Sequence, residues 1–342
     1  MKPLDPDQFA VFVGGAGTAI ADEIRKAYNV PAQAELPPVV AGEGALAPPS
    51  WDDYVGQDKA KLELQIRVQS AIARGVPIPH VLLLAGPGSG KTTLVRLMAA
   101  EAEQRLVVMN RPPKNNDALL DTLTPILGGG ILFVDECHNW GPTAQGALMQ
   151  LTEDGQLDTS SGPVDVSRIT LVGATTDPQK LLAPLRTRFA CKPRFEAYSD
   201  GEMAQIVAGM LERSDVELDD DVVAALGAAA GGNPRAARDL AEAARDLAVT
   251  GMPTTAEAIL SFAGIYEDGL SREHIRYLEA ISQCKHGVAG LERMATLLDI
   301  ATGEVRVLER TLAARGLIMY SGSAGRQISP AGRGRLTSAK AA

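Results

Sequence analysis

The sequence predicts an α/β fold, a doubly wound parallel sheet, followed by a small helical region and a winged-helix end. Three observations predict it. Four short apolar runs, VLLLA (81–85), RLVVM (105–109), GILFVD (130–135) and RITLVGA (168–174), have the unbroken hydrophobicity of strands covered on both faces, and helical patterns separate the first three. The glycine-rich stretch GPGSGKTT (86–93) stands between the first run and a helical pattern, the context a phosphate-binding turn needs. The last 72 residues read as three helices and then two short strands, GLIMYS and RQISP, which is the order of a winged helix.

Taken in order, residues 1–46 are rich in Ala, Pro and Gly, with PPVVAGEGALAPPS reading as a linker and one short helix expected at 19–28. From Trp51 the texture changes, and DKAKLELQIRVQSAIARG has an amphipathic helical pattern. The four strand runs follow, and EDGQLDTSSGPVDV, turn-rich, predicts a hairpin ahead of the fourth. From Ser199 to Ala263 the chain is alanine-rich and helical, with caps at Ser199 and Asp219 and a helix opening at GGNPRAARDL. The expected divisions are 1–46, 47–198, 199–264 and 265–342.

The 342 residues suffice for two or three cores, and the hydrophobic fraction of 45% with 22% charged is ordinary for a globular protein. No apolar run approaches the roughly 20 residues of a membrane helix, and the first residues lack the pattern of a secretory signal. Cys137, Cys191 and Cys284 form no CxxC pair, which points to reduced thiols in a cytoplasmic protein. The net charge of −9 is unevenly spread: from Ser271 onward 11 Lys and Arg face 6 Asp and Glu, a local +5 that leaves −14 on the rest. A basic end on an acidic body can seat DNA locally.

The glycines of GPGSGKTT let backbone N–H groups close around phosphate oxygens, and the following helix adds its positive end. Gly86, Gly88 and Gly90 shape that turn, Lys91 reaches the β and γ phosphates of a nucleotide, and Thr92 ligates magnesium. In ILFVDEC the third strand presents Asp135 and Glu136 about 45 residues downstream, one suited to hold Mg²⁺ through water and the other to polarise the attacking water. Beside them, Cys137 and His138 invite a thiol–imidazole pair or half a metal site. Adjacent residues on an extended backbone point to opposite faces, and the other histidines (His80, His274, His286) have no ligand spacing, so both readings are set aside. In VGATTDP, Thr176, ahead of Thr175, can bond the water or the γ-phosphate. Arg186 and Arg188 in APLRTRFA could reach a neighbouring subunit's nucleotide, and Arg235 could approach the phosphates from another side.

In this order, these residues resemble the AAA+ ATPases, and within them the RuvB type, motors of Holliday-junction branch migration. The resemblance spans roughly residues 48–336 and rests on PSWDDYVGQDKAKLELQI, HVLLLAGPGSGKTTL, ILFVDECH, ITLVGATTDPQKLLAPLRTRF, GGNPRAARDL and the terminal winged-helix pattern. It implies a P-loop AAA+ sheet, a helical lid and a DNA-binding winged helix. ATP and Mg²⁺ are the implied cofactors, and a ring of six copies, in the family's manner, the implied assembly on double-stranded or four-way-junction DNA. It further implies that Gly88, Lys91, Thr92 and Thr93 bind phosphates and that Asp135 and Glu136 are the Walker B pair. Thr176 corresponds to sensor 1, Arg188 to the arginine finger and Arg235 to sensor 2. Tyr54, Val55 and Tyr198 would lie near the adenine, Arg186 near the nucleotide, and Arg326, with Arg333 and Arg335 close by, on DNA.

Two departures stand out. The family's hairpin before sensor 1 is longer and docks a partner, RuvA, whereas EDGQLDTSSGPVDVSR is shorter and more polar, which speaks against a RuvA-like partner. The N-terminal 46 residues also exceed the family's lead-in. Two other functions share the nucleotide site. A clamp-loader or helicase-loader ATPase would carry a helical collar in place of the winged helix, and an ATP-binding winged-helix DNA regulator would have no chemical use for Glu136 and Arg188.

Overall fold

The four apolar runs pair side by side in the computed structural model, which describes residues 46–339 apart from Pro87, Asp154, Glu267 and 322–324. The helix expected at 19–28 lies outside the described residues. The chain divides into two compact units, Met1–Tyr198 with Asn233–Arg235, and Ser199–Gly232 with Ala236–Ala342.

The first unit runs α1 (Asp58–Arg74), β1 (Val81–Leu84), α2 (Lys91–Glu101), β2 (Arg105–Met109), α3 (Asn116–Leu123), β3 (Gly130–Val134), α4 (Pro142–Glu153), β4 (Gln156–Thr159), β5 (Gly162–Asp165), β6 (Ile169–Thr175) and α5 (Ala183–Arg188). The main sheet has the order β1-β6-β3-β2, all parallel, with Leu82 opposite Gly173 and Phe133 opposite Val172. Every residue of β3 and β6 is buried, as their unbroken hydrophobicity requires. Alternation along each strand then divides the core into two layers. Leu82, Leu132, Val134 and Leu171 pack with Leu119 and Leu123 of α3 and Leu148 and Leu151 of α4. Val81, Leu83, Ile131, Phe133 and Val172 pack on the other face with Leu64 and Val68 of α1 and Leu94 and Met98 of α2.

A further edge position was not readable as a strand. Val81 and Leu84 bridge to Cys191 and Arg194, with the Leu82 N–H donating to the Cys191 carbonyl at 2.9 Å and the Phe195 N–H to the Leu84 carbonyl at 2.9 Å. Pro193 lacks an N–H, so this segment serves only at an edge, where its carbonyl still accepts from Leu84. The predicted hairpin is present as β4 and β5, antiparallel, with Gln156 opposite Asp165. Its tip is tied down: Asp117 Oδ1 accepts from the Ser160 N–H at 2.9 Å and the Ser160 hydroxyl at 3.0 Å, and Asn116 donates to the Asp158 carbonyl at 2.6 Å.

The second unit contains α6 (Asp200–Glu212), α7 (Asp220–Ala229), α8 (Pro234–Val249, whose first two residues belong to the first unit), α9 (Ala256–Ala263), α10 (Arg272–Gln283), β7 (Val288–Ala289), α11 (Leu291–Leu298), α12 (Thr302–Ala314), β8 (Ile318–Ser321), β9 (Gly325–Ile328) and α13 (Pro330–Ala339). Ser199 caps α6 through a reciprocal bond with Glu202, as its sequence suggests. Asp219 stands at the start of α7 without a side-chain capping bond. The C-terminal strands form an antiparallel sheet of order β7-β9-β8 over a core that includes Tyr277, Leu278, Ile281, Met294, Val305, Leu312 and Ile328. The sequence reading missed β7 and α13. Two residues are too few to show a period, and in PAGRGRLTSA two Gly, a Thr and a Ser dilute the helix formers Ala, Arg and Leu. Gly332 is required in α13, since a Cβ there would collide with the Leu317 carbonyl.

At the start of α10, the Ser271 N–H (3.1 Å) and hydroxyl (2.7 Å) meet His274 Nδ1, and Ser271 Oγ accepts from the His274 N–H. Nδ1 must accept there, so the ring is neutral. Burial, and then the Arg315 guanidinium, hold its pKa down to about 4 from the ordinary 6.5. The unfolded chain binds the extra proton first, so this contribution to stability is complete above pH 6.5 and is lost as the pH falls toward 4. His274→Gln keeps a capping box without the titration. Denaturant melts should show the wild type losing roughly 1–3 kcal/mol more than this variant between neutral pH and pH 4.

Candidate active site

In the order β1-β6-β3 the carboxyl ends of three neighbouring strands share one edge, the usual ligand position in an open α/β sheet. The turn 86–90 leaves β1, Thr175 and Thr176 end β6, and Asp135 and Glu136 follow β3.

The turn has the conformation its glycines permit. Gly88 and Gly90 have φ of 74° and 87°, and a Cβ on Gly88 would collide with Asn233 Oδ1. Helix α2 begins directly at Lys91, which is only 5% exposed. Its ammonium donates to the Gly86 carbonyl at 2.8 Å and the Ala85 carbonyl at 3.4 Å, and lies 3.8 Å from Glu136 Oε1. A nearly buried ammonium beside left-handed glycines at a helix start fits a phosphate group. Thr92 and Thr93 lie in the first turn of α2, both half-buried. Tyr54 and Tyr198 close over the turn, the Tyr54 hydroxyl reaching the Gly90 carbonyl at 3.4 Å and the Tyr198 hydroxyl the Ser89 carbonyl at 3.4 Å; Val55 is half-buried beside them.

The acids leave the strand earlier than expected. β3 stops at Val134, the Glu136 N–H donates to Asp135 Oδ1 at 2.9 Å, and Glu136 sits at φ 47°, a conformation uncommon for a side chain of its kind and often found at functional sites. Cys137–Asn139 is a 3₁₀ turn, so the extended backbone expected under Cys137 and His138 is corrected. The two side chains still part company. Cys137 is 1% exposed, and burial, reinforced by Glu136, pushes its thiol up to about 12, leaving no thiolate to attack anything. His138 Nδ1 lies 3.2 Å from Glu136 Oε2. Thr176 Oγ1 donates to that same oxygen at 3.3 Å, while Thr175 Oγ1 lies 3.0 Å from His138 Nδ1.

Lys91, Asp135, Glu136 and Thr176 thus come together, and other predicted residues do not join them. Arg186 donates to the Pro178 carbonyl at 3.4 Å, and Arg188 pairs with Glu153, both side chains 40% exposed. Arg235 is exposed on the first turn of α8, its N–H donating to Asn233 Oδ1 at 3.0 Å. Asn233 itself was missed; GGNP had signalled only a helix start. In the C-terminal sheet, Arg326 Nε donates at 2.7 Å to Glu309, a carboxylate 1% exposed that also accepts the Tyr277 hydroxyl at 3.0 Å. Arg335 pairs with Asp268 at 2.5 and 3.2 Å and stacks over Tyr266, and Arg333 is exposed.

A buried ammonium, an acid pair and a hydroxyl converging on three strand ends of this order make the protein a P-loop nucleotide-binding protein of the AAA+ class. Residues 46–195 match the family model "Holliday junction DNA helicase RuvB P-loop domain", and 267–337 match "RuvB C-terminal winged helix domain". The chain belongs to the RuvB family. It is 32% identical over 294 residues to the "Holliday junction branch migration complex subunit RuvB" of Nitratiruptor sp., covering 81% of this chain and 87% of that protein. It is 33% identical over 315 residues to the subunit of the same description from Kosmotoga olearia, covering 86% and 88%. The solved Thermotoga maritima RuvB Holliday junction branch migration motor superposes with a TM-score of 0.74 at 28% identity, covering 86% of this chain and 98% of that one. Among the described residues no helix is long and apolar enough to cross a membrane, and all three cysteines are free and buried.

Proposed function

We propose that this protein is an ATPase that moves duplex DNA and drives branch migration of Holliday junctions in recombination and repair. Carrying the reading is Glu136, whose carboxylate lies 3.8 Å from the Lys91 ammonium and 3.3 Å from Thr176 Oγ1, in a chain of the RuvB family. Lys91 and the N–H groups of the 86–93 turn hold the β and γ phosphates. Glu136 orients the attacking water and takes its proton, and Thr176 holds both in line. Thr92 and Asp135 suit magnesium, which takes one or two protein oxygens beside phosphate. When bound, that ion neutralises developing phosphate charge. Tyr54, Val55 and Tyr198 border the adenine, and Arg186 and Arg235 approach the nucleotide. Arg188 serves a neighbouring copy in a ring, for which six is the proposed number.

Residues 1–46 form an N-terminal extension, 47–198 the ATPase domain, 199–264 a lid and 265–342 a DNA-binding winged helix. In the last, Arg326, Arg333 and Arg335 face DNA phosphates, with Glu309 and Asp268 steadying the first and third. A hairpin tip bonded to Asp117 is poorly placed to reach out, which supports action without a RuvA-like partner. The site of action is the cytoplasm. The test is ATP turnover with and without duplex and four-way-junction DNA, followed by migration of a labelled junction. The motor reading expects stimulation by DNA and junction migration. Turnover indifferent to both DNAs would favour a loader, and binding without turnover a regulator.

A further inference from the structure

One buried polar side chain beside Glu136 has been given no role in the hydrolysis proposed above. His138 is 8% exposed, and its Nδ1 lies 3.2 Å from Glu136 Oε2 and 3.0 Å from Thr175 Oγ1. We propose that His138 is a positioning residue for ATP hydrolysis: its Nδ1–H, steadied by Thr175, holds the Glu136 carboxylate in the orientation that receives the water proton. This rests on the reading of Glu136 as the base.

The chemistry of the contact sets the tautomer. An ionised carboxylate only accepts, so the ring nitrogen facing it carries the hydrogen; Nδ1 bonds Thr175 Oγ1 at 3.0 Å and stands 3.2 Å from Glu136 Oε2. The backbone sets the direction. Glu136 at φ 47° and ψ 42° turns the chain out of β3, and the Asn139 N–H closes the turn on the Glu136 carbonyl at 2.9 Å. Cys137, buried in the core layer of Leu132 and Val134, anchors that turn from below. Thr175, fully buried at the end of β6, also accepts the Asp177 N–H at 3.0 Å, so the group that holds the ring is itself held.

The carboxylate needs this. Its backbone is in neither strand nor helix, so no regular packing fixes its torsions; one hydrogen bond reaches Oε2, from Thr176 at 3.3 Å, and the His138 ring lies against the same oxygen at 3.2 Å. The Lys91 ammonium faces the other oxygen at 3.8 Å, beyond hydrogen-bond range. With His138 gone, one long hydrogen bond orients the base.

The test compares His138→Ala, His138→Asn and His138→Gln by steady-state ATP hydrolysis and by affinity for a fluorescent ATP analogue, with melting curves to follow folding. Asparagine places its amide nitrogen where Nδ1 stands, and glutamine places it farther out. The alanine variant should lose about tenfold in kcat with KM nearly unchanged, the value of one hydrogen bond to a charged group. Asparagine should restore most of that loss and glutamine little of it. Equal turnover in the asparagine and glutamine variants, wild-type kcat in the alanine variant, or a loss confined to KM would each overturn the proposal. If alanine prevents folding, the asparagine–glutamine comparison decides alone. Glu136→Gln run in parallel separates the two readings. If it is inactive while His138→Ala turns over like wild type, only the positioning role falls; if it turns over normally, both fall.

Discussion

Glu136→Gln is expected to bind ATP and fail to turn it over. The substitution keeps shape and size, and the amide oxygen can still accept from Thr176, now bonded to Glu136 Oε2, with His138 3.2 Å from the same oxygen. Lys91 keeps its 2.8 Å bond to the Gly86 carbonyl, so the phosphate cradle loses only a carboxylate 3.8 Å away. What disappears is the one group able to take a proton from the attacking water. General base catalysis supplies about 10²–10⁴-fold, so kcat should fall by at least about 10²-fold while nucleotide affinity changes by no more than roughly threefold. Phosphate release measured against equilibrium binding checks both halves. Turnover within about tenfold of wild type would remove Glu136 from the role of base. Lys91→Ala is the contrasting case, since it should weaken binding itself.

The parts of this site that were legible in the sequence are those whose chemistry is local. GPGSGKTT needs glycines at its left-handed positions and a lysine at the helix start, and Gly88, Gly90 and Lys91 occupy them. The strands were legible because burial on both faces leaves no polar alternation, as in β3 and β6. What stayed hidden depends on residues remote in the chain or on single torsions. Glu136 leaves its strand through one positive φ, which no propensity announces, and His138 is turned toward it in consequence. Asn233 reaches the turn at Gly88 from far along the sequence. Arg326 and Arg335 read as free basic residues, yet their partners Glu309 and Asp268 lie 17 and 67 positions away. Glu309 falls in a helix where an acid ordinarily faces water, and only the tertiary core shows it 1% exposed under Tyr277. The Pro193 edge is the converse case, a sheet position filled by a segment whose composition argues against a strand.

Arg188→Ala is expected to abolish turnover in a way that a second, differently damaged copy repairs. Arg188 ends α5 with its side chain 40% exposed, and its recorded partner is Glu153 at the end of α4, not Lys91, Asp135 or Glu136. An arginine outside its own chain's site, and open to solvent, can complete a neighbour's site. The pair with Glu153 opposes this only weakly, since exposed ion pairs are worth about 0–1 kcal/mol. An arginine that stabilises phosphoryl-transfer charge contributes about 10³–10⁵-fold to kcat, so the alanine variant should lose about 10³-fold while still binding ATP. The decisive measurement mixes it with Lys91→Ala. Neither protein alone hydrolyses ATP, the first for want of the arginine and the second for want of the ammonium. In a mixed ring, an intact Lys91 site of the first copy receives the intact Arg188 of the second, and turnover should return in proportion to such junctions. A finger acting within its own chain predicts no recovery at any mixing ratio, and that result would move Arg188 out of the interface. Glu153→Gln completes the argument: freeing Arg188 from its exposed partner should leave kcat within about twofold of wild type, because the side chain must leave that carboxylate in every productive ring.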